Sequence, residues 1–433
     1  MALSYSESVA FLYSLQKHGV KLGLERIGAL LRGLGAPHER YPSLHIGGTN
    51  GKGSTAAIAA AILEAAGYRV GLYTSPHLVD FRERIRVSGQ PIPEDTVAEL
   101  TETLQAALGG ACQPTFFEFT TALAFQYFAE MAVDVSVIEV GLGGRFDATN
   151  VLTPMVSIIT TVALDHRDYL GETIGAIAFE KAGIIKPGVP VVTGRLGAEA
   201  EAVVASVAST HGSAWSRLGA DFRTEGDPCG GFAYRGLRRS CSDLRCPLPG
   251  RHQLDNAACA LAALEHGARG GLYVPDSAVR EGLAAVLWEG RLEHVEEAPS
   301  LVLDGAHNPA AAVAVAGYLA DYRERHPGCR VILVVGMMRD KDQAGFFRAI
   351  LSIADEVVLT QVPMDRAAAV QQLRASLGEW AGPVHSAAVP ADALTLARRL
   401  AASSDLICVT GSLMLVGEVK ALLRGCGVSP IRG

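Results

Sequence analysis

The stretch His45-Ile46-Gly47-Gly48-Thr49-Asn50-Gly51-Lys52-Gly53-Ser54-Thr55-Ala56-Ala57 decides how the rest of the chain is read. A short strand candidate, Ser43 to Ile46, leads into it. An apolar, Ala-rich helix from about Ser54 to Ala66 follows. A glycine-rich turn between strand and helix is the setting of a phosphate-binding loop. Glycines let backbone amides approach phosphate oxygens. The helix start adds unpaired N–H groups and the positive end of the helix dipole. Lys52 supplies a charge for the outer phosphates. The spacing departs from the standard loop: the first glycine is one residue closer, and Gly53 separates Lys52 from Ser54. The plainer alternative is an ordinary strand-to-helix turn, against which Thr49, Asn50 and Lys52 argue.

Working outward, Gly67 ends the helix and Tyr68 to Thr74 reads as the next strand, completing a βαβ unit. Tyr5 to Leu34 is a helical approach interrupted by glycines. Helices are expected over Glu94 to Leu108 and Phe117 to Ala132, and strands over Val135 to Val140, Val156 to Leu164 and Val189 to Thr193. These strands are nearly continuous apolar runs, as in a sheet covered on both faces. From Thr210 to Pro247 the pattern weakens into a β-rich excursion that includes Gly231 to Tyr234, and Leu254 to Leu264 returns to helix. A second cycle starts near Val295, with strands at Leu301 to Leu303, Val331 to Val335, Glu356 to Leu359 and Leu406 to Thr410, and helices such as Ala310 to Arg325 between them. Alternating strands and helices predict α/β architecture with mostly parallel sheets. The expectation is a phosphate-loop domain flanked by helices (1–288), a hinge (289–294) and a smaller Rossmann-like α/β domain (295–433).

Composition narrows the class. The 433 residues carry 38 Lys and Arg against 45 Asp and Glu, a formal charge of −7, which argues against a general nucleic-acid binder. A hydrophobic fraction of 49% excludes a disordered polymer. No run reads as a membrane span of about 20 apolar residues, and the N-terminus lacks the charged and apolar regions of a secretory signal. Eight scattered cysteines without a CxxC pair fit reduced thiols in the cytoplasm.

Further segments carry chemistry. Glu139 closes an apolar strand beside the phosphate loop, where a carboxylate suits Mg²⁺. Asp165-His166 ends the next strand. Lys181, read alone, is a solvated helix lysine. Thr115-Phe116-Phe117-Glu118 offers rings that stack on a flat heterocycle or pack a helix start. Asp304-Gly305-Ala306-His307-Asn308-Pro309 follows a strand and doubles as a capped helix start, with Asn308 as N-cap and Pro309 in the first turn.

In order, the chain shows HIGGTNGKGSTAA, YTSPHL, IEVGLGGRFDATN, LDH, EKAGIIKPG and LDGAHNP. Over about residues 22–416 it resembles the bacterial bifunctional dihydrofolate synthase/folylpolyglutamate synthases of the Mur ligase superfamily. The resemblance implies an ATP-dependent ligase that adds L-glutamate to dihydropteroate and to reduced folates through an acyl phosphate. It implies Gly51, Lys52, Gly53, Ser54, Asn256, Arg291 and Asp304 at ATP, and Ser75, Glu139 and His166 as Mg²⁺ ligands. It also implies a carbamylated Lys181 holding a second Mg²⁺, with Lys52, Lys181 and His307 serving catalysis. Thr115, Phe116, Phe117, Glu118, Phe146, Asp147 and Ala148 would face the pterin. Gln253 stands where the wider superfamily more often has Asn. Partners would be small molecules only, and the chain would act as a monomer. The competing readings are a monofunctional folylpolyglutamate synthase, a Mur-type peptidoglycan precursor ligase and a non-catalytic nucleotide-binding module.

Overall fold

Residues 3–18, 23–108, 113–227 and 230–429 are described by a computed structural model. The architecture grows from β1 (Ser43–Gly47), whose five residues are all buried. Leu44 and Ile46 fill one face and His45 occupies the other. His45 is tolerated there as a neutral ring: burial, with Lys186 second, pushes its pKa down to about 3. Its Nε2 lies 2.8 Å from the Thr149 hydroxyl.

Seven strands join β1: β2 (Val70–Tyr73), β3 (Ile85–Val87), β4 (Gln90–Pro91), β5 (Val135–Glu139), β6 (Val156–Ile159), β7 (Val191–Thr193) and β8 (Trp215–Arg217). Their order is β4-β3-β2-β5-β1-β6-β7-β8. All neighbours are parallel except at the β2-β3-β4 edge, which is antiparallel. On one face lie the helices Lys52–Ala65, His252–Gly267 and Asp276–Ala285, with a small antiparallel sheet of β9 (Arg223–Asp227), β10 (Gly231–Arg235) and β11 (Ser240–Leu244). Helices Tyr5–Ser14, Glu25–Gly33, Glu94–Leu108 and Phe116–Glu130 cover the other. The phosphate-loop helix is apolar all round because it is packed on nearly every side. Gly282 allows the closest of those approaches, since a Cβ there would lie 2.4 Å from Ile62 Cα and 2.6 Å from the Ala61 carbonyl oxygen.

The second sheet runs β12-β13-β17-β14-β15-β16, from β12 (Glu293–Glu297), β13 (Ser300–Leu303), β14 (Val331–Val335), β15 (Glu356–Thr360), β16 (Val384–Ala387) and β17 (Leu406–Thr410). Only β12 is antiparallel to its neighbour. Helices Pro309–Arg325 and Gln343–Ile350 pack on one face, and Pro390–Leu400 and Leu413–Arg424 on the other. The architecture is α/β with mostly parallel sheets, as the sequence predicts.

Some boundaries move. The strand expected over Val156 to Leu164 ends at Ile159. The next residues leave the sheet because they bind the phosphate loop: Thr160 and Thr161 hydroxyls donate to the Asn50 carbonyl at 2.7 and 3.1 Å. The phosphate-loop helix begins at Lys52, two residues early. The strand expected from Val189 begins at Val191. The helical approach divides into Tyr5–Ser14 and Glu25–Gly33, with residues 19–22 outside the described residues. Residues 228–229 of the β-rich excursion also lie outside them. Among the described residues no helix is long and apolar enough to cross a membrane.

Candidate active site

The phosphate loop is built by close approach. Gly48 has φ +140, and a Cβ there would lie 2.0 Å from Thr160 Oγ1. Gly51 has φ +87, a region that favours glycine, and a Cβ on it would meet Asn256 Oδ1 at 2.4 Å. At Gly53 a Cβ would press on the Trp288 indole at 3.0 Å. The departure from the standard loop therefore has a steric cause: the residue after Lys52 sits under an indole. Ser54 is buried in the first helical turn. No side chain among the described residues caps this helix start, so its N–H groups remain free for an anion.

Two lysines meet at the loop. Lys52 Nζ donates to the carbonyls of Gly48 (3.1 Å) and Thr49 (3.2 Å), and Lys181 Nζ donates to the same Gly48 carbonyl at 2.9 Å. Lys181 is buried, contrary to a solvated helix lysine. Burial, followed by the charge of Lys52, lowers its pKa to about 7. Its helix is fixed by the GLGGRFDATN segment. Arg145 N donates to the Glu180 carbonyl at 2.8 Å, and Asn150 Nδ2 donates to the carbonyls of Arg145 and Gly183 at 2.9 and 3.0 Å.

Glu139 ends β5 as a buried carboxylate, and its Oε2 accepts from Ser75 N at 3.1 Å. Burial raises its pKa, while Lys52, Ser75 N, Arg291 and Arg84 act against that. A buried carboxylate beside a hydroxyl-bearing loop suits a divalent cation. Among the described residues no three His, Cys, Asp or Glu side chains form a closed metal cage. The structure brings Ser75 and Glu139 together, while the His166 ring lies against Lys341 and Asp165.

Asp165 joins the two halves of the molecule. Its Oδ1 accepts from Lys341 Nζ at 2.6 Å. Its Oδ2 lies 3.4 Å from His307 Nε2 and accepts from Asn308 Nδ2 at 3.2 Å. Burial pushes the Asp165 carboxyl up, but His307, His166 and Lys341 outweigh it and hold it far below the usual range. Asn308 and Asn50 exchange side-chain hydrogen bonds at 3.0 and 3.2 Å, tying the phosphate loop to the second half. Asn308 also caps its helix as the sequence predicts. His166 has φ +50, and Lys341 Nζ lies 3.2 Å from its Nε2. Burial, with Lys341 second, lowers its pKa to about 4, leaving a neutral ring.

Other expected residues do local work. Asp304 Oδ2 accepts from Leu292 N and Oδ1 from Ala306 N, both at 2.8 Å. It fastens the segment around Leu292, as does Gly305 N on the Gly290 carbonyl. Arg291 Nη1 donates to its neighbour's carbonyl at 2.9 Å. Asn256 Nδ2 donates to Gln253 Oε1 at 2.8 Å, so position 253 orients the asparagine beside Gly51.

Thr115 and Glu118 form a capping box, and Glu118 also pairs with Arg26 at 3.1 Å. Phe116 is buried under the Arg84 guanidinium, and Phe117 lies over Gly141. Phe146 is exposed beneath Arg145, while Ala148 is buried. Asp147 accepts from Leu142 N at 2.9 Å and Thr149 N at 3.0 Å, closing its loop. Asn50, Asp165 and Lys341 carry no individual role from sequence, Asn308 carries only that of N-cap, and no spacing signal links the four.

The two sheets, the phosphate loop and the carboxylate at the neighbouring strand end define a Mur-type ligase. Residues 46–264 match the Mur ligase middle domain and residues 290–413 the Mur ligase glutamate ligase domain. The dihydrofolate synthase/folylpolyglutamate synthase of Bacillus subtilis is 34% identical over 98% of this chain and 100% of its own length. Escherichia coli FolC in complex with DHPP and ADP superposes with a TM-score of 0.90 at 35% identity, covering 98% of each chain. The bifunctional Yersinia pestis enzyme complexed with AMPPNP and Mn ion gives 0.87 at 34% identity, also covering 98% of each. The chain belongs to the dihydrofolate synthase/folylpolyglutamate synthase family of Mur ligases and is an ATP-dependent ligase.

Proposed function

We propose that the chain joins L-glutamate to dihydropteroate, forming dihydrofolate, and to reduced folates, forming folylpolyglutamates. A substrate carboxylate attacks the γ-phosphorus of ATP, giving an acyl phosphate and ADP. The glutamate amine then attacks the activated carbonyl, and phosphate leaves as the amide forms. For dihydropteroate the reacting group is the p-aminobenzoate carboxylate; for a reduced folate it is the γ-carboxylate of its glutamate. Both reactions join anions, so the site must cancel negative charge. Lys52 and the free amides of the phosphate-loop helix do this at the phosphates. A divalent cation held by Ser75, Glu139 and His166 would draw further charge from the phosphate oxygens.

The convergence of Lys52 and Lys181 on one loop carbonyl carries the reading. A buried lysine with a pKa near 7 is a neutral nucleophile in much of the population, as CO₂ uptake requires. Carbamylation of Lys181, and a second Mg²⁺ on it, belong to this proposal. Asn256, Arg291 and Asp304 bound the nucleotide. Phe116, Phe117, Phe146 and Asp147 shape the pterin side, Asp147 by fixing its loop. His307 sits toward the glutamate side of the cleft. Residues 289–294 act as the hinge between domains 1–288 and 295–433. Closing them keeps water from the acyl phosphate. The enzyme works as a monomer in the cytoplasm.

The test is ADP release with ATP, Mg²⁺ and L-glutamate, supplying either dihydropteroate or tetrahydrofolate. Glutamate-dependent release with both, and amide products by mass, is expected. Release with tetrahydrofolate alone would leave a monofunctional enzyme.

A further inference from the structure

Lys420 has no place in the reaction as described, yet its side chain is only 4% exposed. It stands on the helix Leu413–Arg424, which packs on the second sheet. Its Nζ donates to Glu293 Oε1 at 2.5 Å and lies 3.3 Å from Glu289 Oε2. Those two carboxylates stand two residues to either side of Arg291. The second oxygen of Glu293 accepts from Gly290 N at 2.7 Å, and Arg424 pairs with Glu289. Among the described residues Arg291 pairs with neither carboxylate, and its Nη1 donates to the Gly290 carbonyl at 2.9 Å. This segment lies at the phosphate loop. Trp288, three residues before Arg291, packs its indole on Gly53 in the first turn of the phosphate-loop helix. Arg291 is also near enough to Glu139, at the end of β5, for its charge to oppose the rise in that carboxyl's pKa.

A guanidinium takes carboxylates readily, in a two-pronged geometry that an ammonium lacks. Glu289 and Glu293 are within reach of a side chain as long as that of Arg291, so each competes with a phosphate for it. We propose that Lys420 is a positioning residue for Arg291: its ammonium occupies Glu289 and Glu293 and so leaves the Arg291 guanidinium for the phosphates of the nucleotide. The inference rests on Arg291 bounding the nucleotide. It assigns the C-terminal helix a part in nucleotide affinity through charge, without contact with the reacting atoms. Both carboxylates are partly exposed, so removing the lysine leaves no fully buried charge and the fold can persist.

The experiment is a calorimetric titration with ADP of wild type, Lys420→Met and the triple variant Lys420→Met/Glu289→Gln/Glu293→Gln. Lys420→Met should bind ADP about tenfold more weakly. The triple variant, which lacks the competing carboxylates, should return to within about twofold of wild type. In glutamate-dependent ADP release, Lys420→Met should raise the KM for ATP by a similar factor and leave kcat nearly unchanged. A Lys420→Met protein with wild-type affinity for ADP would overturn the inference. So would a loss that persists in the triple variant, since that is the mark of a purely structural lysine. Weak ADP binding by the wild type itself would instead remove the nucleotide reading on which the inference stands.

Discussion

Lys52 and Lys181 donate to the same oxygen, the carbonyl of Gly48, at 3.1 and 2.9 Å. Two full charges on one acceptor repel, and the more deeply buried one yields. Lys181 is that group, with a pKa lowered to about 7 by burial and then by Lys52. Acylation of Lys181 followed across pH should show a midpoint near 7, and Lys52→Met should move it upward. A wild-type midpoint near that of an ordinary lysine, about 10.4, would refute the shared-carbonyl argument.

The same burial sets a pH dependence of stability. Between about 7 and the ordinary lysine value the unfolded chain binds more protons at Lys181 than the folded chain. Stability from this group therefore rises with pH across that window. Below it, folding keeps a charge buried. Lys181→Met should stabilise the protein at pH about 6 by roughly 1–3 kcal/mol, and the advantage should shrink as pH rises above 7. Glutamate-dependent ADP release should fall about a hundredfold or more in the same variant. Urea unfolding at several pH values checks the first half, and a variant less stable than wild type at low pH would count against it.

Asp165 is the most connected carboxylate between the two halves, meeting Lys341, His307 and Asn308. Its depressed pKa means that its contribution is present above the ordinary carboxylate range, about 4, and is lost only as pH falls far below it. Asp165→Asn leaves Lys341 buried without its carboxylate. The expected cost is about 3 kcal/mol, read as a lower midpoint of thermal unfolding at pH 7. An unchanged midpoint would show that the halves are held by other contacts.

Gly282 touches no catalytic group. A methyl there meets the backbone of Ile62 and Ala61, so Gly282→Ala forces two packed helices apart. Overpacking of this kind costs about 1–3 kcal/mol. Thermal unfolding should begin several degrees earlier, while turnover per folded molecule at low temperature stays unchanged. Wild-type stability would mean the helices separate freely.

What the sequence discloses is what lies close along it. The phosphate loop, Glu139 at a strand end and Asn308 with Pro309 at a helix start are local patterns. Each carries its reason within a few residues. The edge strand β4, its neighbour β3 and the strand β12 are too short or too polar to stand out. The bonds that assemble the site are long-range. Asp165 with Lys341 and Asn50 with Asn308 span 176 and 258 residues, and no periodicity encodes them. Asp147 and Asp304 also hold backbone N–H groups, contacts that their motifs do not announce. Lys181 reads as solvated because burial inside a tertiary cleft leaves no mark on its own helix.

The central claim is that one phosphate site activates a carboxylate on either substrate. The most direct measurement uses dihydropteroate and tetrahydrofolate labelled with heavy oxygen in the reacting carboxylate. The inorganic phosphate formed with ATP and L-glutamate is then analysed by mass. An acyl phosphate predicts that one labelled oxygen passes into phosphate in each turnover, with both substrates. Unlabelled phosphate beside a normal yield of amide would contradict the account.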